Sequence, residues 1–217
     1  MIIEFLGLPG SGKTTTVKAL MKSLEDKGYE CIEPVRKKRF FRYLDYFRFD
    51  NLKLRYFLFL FSKKYIHFKD FIYFSNWFLD FYNYYKSNYT ISNNRIILVD
   101  QGLLQLLISI SFTKRMTDSN DIKNILHYIN KKGVVFSIIY CFSDIETVYY
   151  RIRERGISGR RIDSMDEASM KDALRIQEQN FSLLYDCTKS EFDSVLILDA
   201  KETIINKTND IISYLNI

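Results

Sequence analysis

Two prolines and eight glycines in 217 residues leave too little turn chemistry for a collagen-like or linker-rich chain. Cysteine is scarce as well. Cys31, Cys141 and Cys187 are odd in number, far apart and form no C-x-x-C pair, so a disulfide framework has no basis. With His67 and His127 as the only histidines, a structural zinc site finds little support. No apolar run is long enough to span a bilayer: Tyr56 to Phe61 and Phe71 to Leu79 are the greasiest segments, and Lys and Asp flank them. The opening Met1-Ile2-Ile3-Glu4-Phe5 has neither the basic region nor the cleavage site of a signal peptide. Dispersed thiols without a leader fit a cytoplasmic protein. Hydrophobic residues at 47% and charged residues at 27% exclude wholesale disorder. The length suits one domain over 1–217.

What is present is unevenly placed. The net charge is +6, yet residues 35–64 carry ten Lys and Arg against Asp45 and Asp50 alone, and the remainder is slightly acidic. Of the 35 aromatic residues, 22 fall between Phe40 and Thr90, in a stretch without Gly or Pro. The lack of breakers favours helices there, although Phe and Tyr are poor intrinsic helix formers and need packing to hold them. Elsewhere short apolar runs alternate with helical spacing. Strands are expected at Ile2 to Leu6, Glu30 to Val35, Arg95 to Asp100, Val134 to Phe142 and Val195 to Asp199. Helices are expected at 13–27, 103–114, 119–132, 144–155, 165–189 and 201–215. That alternation predicts an α/β fold, a three-layer α/β/α sandwich on a parallel sheet of about five strands.

Gly7-Leu8-Pro9-Gly10-Ser11-Gly12-Lys13-Thr14 fits G-x-x-x-x-G-K-[ST] in full, the Walker A or P-loop pattern, with a strand before it and a helix after it. Glycines let backbone N–H groups turn inward around an oxyanion, and a helix N-terminus adds partial positive charge. Lys13 reaches β- and γ-phosphates in such a loop, and the Thr14 hydroxyl ligates Mg²⁺.

Asp100 ends a run of four apolar residues, where ligands bind in open parallel sheets. A carboxylate there can hold Mg²⁺, orient an acceptor hydroxyl as a base, or cap the next helix. Further on, Arg151, Arg153, Arg155, Arg160 and Arg161 lie within eleven residues, interrupted by Gly156 and Gly159. Arginine stays charged and offers forked donors, so the segment 151–163 reads as a lid that would close over a transferring phosphoryl group and exclude water. The plain alternative is a solvated helix end.

Taken together these residues resemble the thymidylate-kinase-like branch of the P-loop nucleoside and nucleotide kinases. Phe5 to Thr15 is similar to that family's opening, Arg151 to Gly156 followed by Arg160-Arg161-Ile162-Asp163 to its lid, and Leu198-Asp199-Ala200 to its adenine-side loop. The resemblance implies strand order 2-3-1-4-5 and a nucleotide held by Gly7, Gly10, Ser11, Gly12, Lys13, Thr14, Thr15, Arg151, Asp199 and Ala200. It also implies Mg²⁺ on Thr14 and Asp100, and catalysis by Lys13, Asp100 and one or more of Arg153, Arg155, Arg160 and Arg161. The chain departs from that pattern after the third strand, where Asp-Arg is usual and Asp100-Gln101-Gly102 stands here. Gln101 cannot grip an acceptor's phosphate by charge.

Residues 35–90 would lie on the acceptor side as a basic, aromatic, helical insert. Such a stretch serves as the core of a helical subdomain, as a pocket for an anionic or lipid-linked acceptor, or as a surface for nucleic acid or an anionic membrane. Exposed aromatic helices would also suit a homodimer. The leading expectation is ATP- and Mg²⁺-dependent phosphoryl transfer to a small acceptor, a nucleoside or nucleotide first. The alternatives are a nucleotide-binding switch or slow NTPase that acts through a partner, and a nucleic-acid end kinase.

Overall fold

Ile2–Gly7 is apolar except for Glu4, and all six residues are buried. In the computed structural model this segment is the central strand, β1. The structure describes residues 1–34, 77, 81, 95–110, 119–131, 136–156 and 161–217. A P-loop and α1 (Lys13–Asp26) follow β1. Next come β2 (Glu30–Ile32), β3 (Arg95–Val99), α2 (Leu103–Ile110), α3 (Ser119–Lys131) and β4 (Phe136–Phe142). The chain continues through α4 (Ile145–Arg155), a 3-10 turn at Arg161–Ser164, α5 (Glu167–Glu191), β5 (Val195–Asp199) and α6 (Ile204–Leu215).

The sheet has five strands in the order β2-β3-β1-β4-β5, every pair parallel. Fold class and strand order are as expected. Parallel strands are buried on both faces, and side chains alternate between them. Ile3 and Phe5 face one way with Leu98, Ile139 and Cys141, under Val17, Leu20 and Leu24 of α1 and Ile211 of α6. Ile2 and Leu6 face the other way with Val99, Ile138 and Tyr140, under α2, α3, α4 and α5. Each fully buried Leu, Ile or Phe contributes about 1.5–3 kcal/mol. Trp77 and Phe81 join this second cluster with ring centroids 6.1 Å apart. Those two aromatics are core. The rest of the expected insert, 35–90, lies outside the described residues.

Glu4 is the exception in β1. Pleating puts it between Ile2 and Leu6, on the face that carries α2. There, fully buried, its Oε1 accepts from the N–H groups of Leu104 at 2.8 Å and Gln105 at 3.0 Å. A strand carboxylate thereby satisfies two of the N–H groups that a helix start leaves open, at the positive end of its dipole.

Caps move several expected boundaries. Asp166 accepts from the Ser169 N–H at 2.9 Å, so α5 begins at Glu167 and not at 165. Thr203 accepts from the Asn206 N–H at 3.2 Å, so α6 begins at Ile204 and not at 201. The expected loop 156–163 ends in the 3-10 turn, and β2 stops at Ile32 before Pro34.

Asp144 caps α4, accepting from the Thr147 N–H at 2.8 Å and the Thr147 hydroxyl at 2.9 Å. These bonds, with a lesser contribution from Lys201, hold its carboxyl at about 2, below the ordinary 3.8. A depressed folded-state value means the cap's stabilisation is fully present above about pH 4 and is lost as pH falls through about 2. Thermal melts of wild type should therefore show a step between pH 4 and 2 that Asp144→Asn reduces. Matching pH profiles in the two proteins would count against the cap's contribution.

Candidate functional site

The P-loop occupies the C-terminal edge of the sheet, where β1 lies between β3 and β4. Gly7 has to be glycine for a local reason. A Cβ there would meet the Cys141 carbonyl oxygen at 2.5 Å and Ser11 Oγ at 2.7 Å, so the loop can turn this close to β4 only without a side chain. Cys141 beneath it is a wall residue: burial pushes its thiol up to about 11, and it stays neutral. Gly12, with φ +88°, precedes α1 in the left-handed conformation that favours glycine.

Lys13 is buried at 8% exposure. Its Nζ folds onto the loop, donating to the carbonyls of Gly7 at 2.8 Å and Leu8 at 2.9 Å. Ser11 Oγ stands 3.5 Å from the same nitrogen. The lysine thus lies along the loop, its charge held by backbone carbonyls.

Because β3 adjoins β1, Asp100 comes beside α1 although 86 residues separate it from Thr14. Thr14 Oγ1 donates to Asp100 Oδ2 at 2.7 Å. The other carboxylate oxygen, Oδ1, is buried and has no hydrogen-bond partner among the described residues. A hydroxyl beside a half-used carboxylate is an all-oxygen donor set. It fits a hard divalent cation such as Mg²⁺ that keeps waters and takes its remaining ligands from phosphate. No cluster of three or more His, Cys, Asp or Glu able to hold a metal occurs among the described residues.

A cavity of about 770 Å³ opens from the cradle. One wall is the P-loop and the start of α1, with Gly7, Gly10, Gly12, Lys13, Thr14 and Thr15. A second is Gln101, Gln105 and Ser109. A third is Arg151, Arg155 and Ile162, and a fourth is Ala200 to Ile204 with Lys207.

Arg151 Nη1 and Nη2 reach the carbonyls of Gly10 and Ala200, each at 3.4 Å, joining P-loop to β5–α6 loop. Arg155 pairs with the buried Asp163 across the chain's return. Arg153 is exposed, 5.6 Å over the Tyr149 ring, and does not line the cavity. These three arginines stand on helix α4, not on a loop. Arg160 lies outside the described residues, as does the side chain of Arg161. Asp199 is exposed, its Oδ1 accepting from the Lys201 N–H at 2.8 Å.

Gln105, Ser109 and Lys207 are among the cavity residues that the sequence reading missed. Gln105 and Ser109 are the only polar residues of α2, Leu-Leu-Gln-Leu-Leu-Ile-Ser-Ile, and four apart they share one helix face. That pattern is a signal the sequence carries. Gln105 Oε1 accepts from the Gly7 N–H at 3.3 Å, so the second wall holds the first. Lys207 is the third, at 4% exposure with its Nζ donating to the Ala200 carbonyl at 2.9 Å. A lysine in a polar helix reads as solvated, and only the packing of α6 reveals otherwise.

No helix among the described residues is long and apolar enough to cross a membrane. No protein-family model and no curated protein matches the sequence. The fold does match solved structures. Deoxyadenosine kinase from M. mycoides with bound dATP aligns at 22% identity over all of both chains, with a TM-score of 0.56. The same enzyme with dCMP and dCDP aligns at 22% identity over 100% of this chain and 99% of that one, with a TM-score of 0.54. The YorR protein from Bacillus subtilis, in complex with phosphorylated GDP, aligns at 15% identity over 100% of this chain and 96% of its own, with a TM-score of 0.52. At these identities the likeness is one of fold: the chain shares the three-layer α/β/α architecture of these structures.

Proposed function

We propose that the chain transfers the terminal phosphoryl group of a nucleoside triphosphate to a small acceptor, a nucleoside first. The observation that carries this reading is one cavity lined by Lys13, Thr14, Arg151 and Arg155, with Asp100 bonded to the Thr14 hydroxyl. An acceptor hydroxyl oxygen would attack the γ-phosphorus as the bond to the bridging oxygen breaks. The nucleoside diphosphate leaves, and the hydroxyl proton passes to Asp100 or to solvent.

Lys13 would exchange its carbonyl partners for β- and γ-oxygens. Arg151 would help hold the nucleotide, Arg155 would face charge on the transferring group, and Arg153, Arg160 and Arg161 remain candidates as the lid closes. Thr14 and Asp100 would hold Mg²⁺, which neutralises phosphate charge. Asp199 and Ala200 would border the base. Gln101 on the acceptor wall has no charge for a monophosphate. A nucleoside therefore fits better than thymidine monophosphate within a thymidylate-kinase-like site. The deoxyadenosine kinase of like fold supports the same choice.

Gln101 also favours a second reading. A glutamine beside the nucleotide can orient water, as a switch or slow NTPase requires. ADP release from Mg-ATP against a panel of nucleosides, nucleoside monophosphates, sugars and short oligonucleotides separates the two. One acceptor that raises turnover well above the acceptor-free rate establishes the kinase. An unchanged rate across the panel favours the switch.

A further inference from the structure

The β5–α6 end of the cavity, which would border the base in the reading proposed above, offers hydrogen-bond donors. Lys207 is buried at 4% exposure, lines the cavity and carries three N–H donors. One of them goes to the Ala200 carbonyl at 2.9 Å. Arg151 Nη2 approaches that same oxygen at 3.4 Å. A carbonyl has two acceptor sites, and two cations already address this one. The backbone oxygen that could accept from an adenine 6-amino group is therefore engaged. An amino group brought there would face two cations and no free acceptor. A 6-oxo group would instead accept from the remaining donors of Lys207. On the same loop the Glu202 carboxylate is exposed and also lines the cavity, an acceptor suited to the N1–H and 2-amino group of guanine.

We infer that this loop selects a 6-oxopurine nucleotide over an adenine nucleotide, with Lys207 and Glu202 as the specificity-determining pair. The inference rests on the phosphate cradle proposed above and adds the base to it.

Calorimetric titration of the full chain with GDP, IDP and ADP, each with Mg²⁺, tests it. GDP is expected to bind about tenfold or more tighter than ADP, the usual consequence of one mispaired buried polar group. IDP, which keeps the 6-oxo group but lacks the 2-amino group, should fall between them. Equal affinities, or tighter ADP, overturn the inference while leaving the cradle intact. If none of the three binds, the cradle reading falls and takes the inference with it. Lys207→Met should free the Ala200 carbonyl and narrow the GDP-to-ADP ratio to about threefold or less. Because that side chain is buried, Glu202→Gln provides a surface variant, expected to weaken GDP and leave ADP and IDP less affected. A GDP preference that survives both substitutions unchanged overturns the assignment of these two residues.

Discussion

Lys13→Met is expected to lower acceptor-stimulated turnover by about a thousandfold or more, because it removes the one charge the loop can deliver to the β/γ bridge. The variant should still fold. Its cost is two carbonyls, of Gly7 and Leu8, that lose a charged donor, about 1–3 kcal/mol where no water replaces it. That lies within the stability of an ordinary domain. Steady-state turnover with the best acceptor, beside a thermal melt, checks both halves. Retention of more than about a tenth of the activity in a folded variant would place catalysis outside the P-loop.

Asp100→Asn is the second large effect, expected to lower turnover by about a hundredfold to ten-thousandfold. An amide keeps an oxygen to accept from Thr14, so the 2.7 Å contact can persist while the charge goes. The Mg²⁺ dependence then tells what the carboxylate does. A cation-holding role makes the loss shrink as Mg²⁺ is raised, since higher concentration offsets weaker binding. A proton-accepting role leaves the loss constant in Mg²⁺. Near-wild-type turnover at low Mg²⁺ would exclude both, leaving Asp100 as the partner of Thr14 alone.

The legible parts of this chain are those where local chemistry suffices. Strand periodicity and the G-x-x-x-x-G-K-T spacing place β1, the loop and α1, and with them Lys13 and Thr14. Asp100 was readable because it ends an apolar run, although its contact with Thr14 depends on β3 lying next to β1, a fact of sheet order that no local window contains. The family resemblance supplied that order. Arg153 and Arg155 look equivalent in sequence, yet two residues of helix turn one toward Tyr149 and the other toward Asp163 and the cavity. Lys207 was invisible because burial of a lysine is decided by what packs over it. Glu4, the lone polar residue of an apolar strand, and Gln105, one of two in an apolar helix, were visible but unread.

Glu4 and Gln105 also tie the two halves of the cavity into one thermodynamic unit. Glu4 fixes the start of α2, and Gln105 from that same turn holds the Gly7 N–H of the phosphate loop. In the proposed reaction, whatever engages Gln105 from the cavity competes for, or tightens, a bond to the loop that would receive phosphate. By linkage the effect is reciprocal: the factor by which acceptor alters nucleotide affinity equals the factor by which nucleotide alters acceptor affinity. A carboxylate buried in the middle of the sheet would thus belong to the path by which the two proposed ligands sense one another.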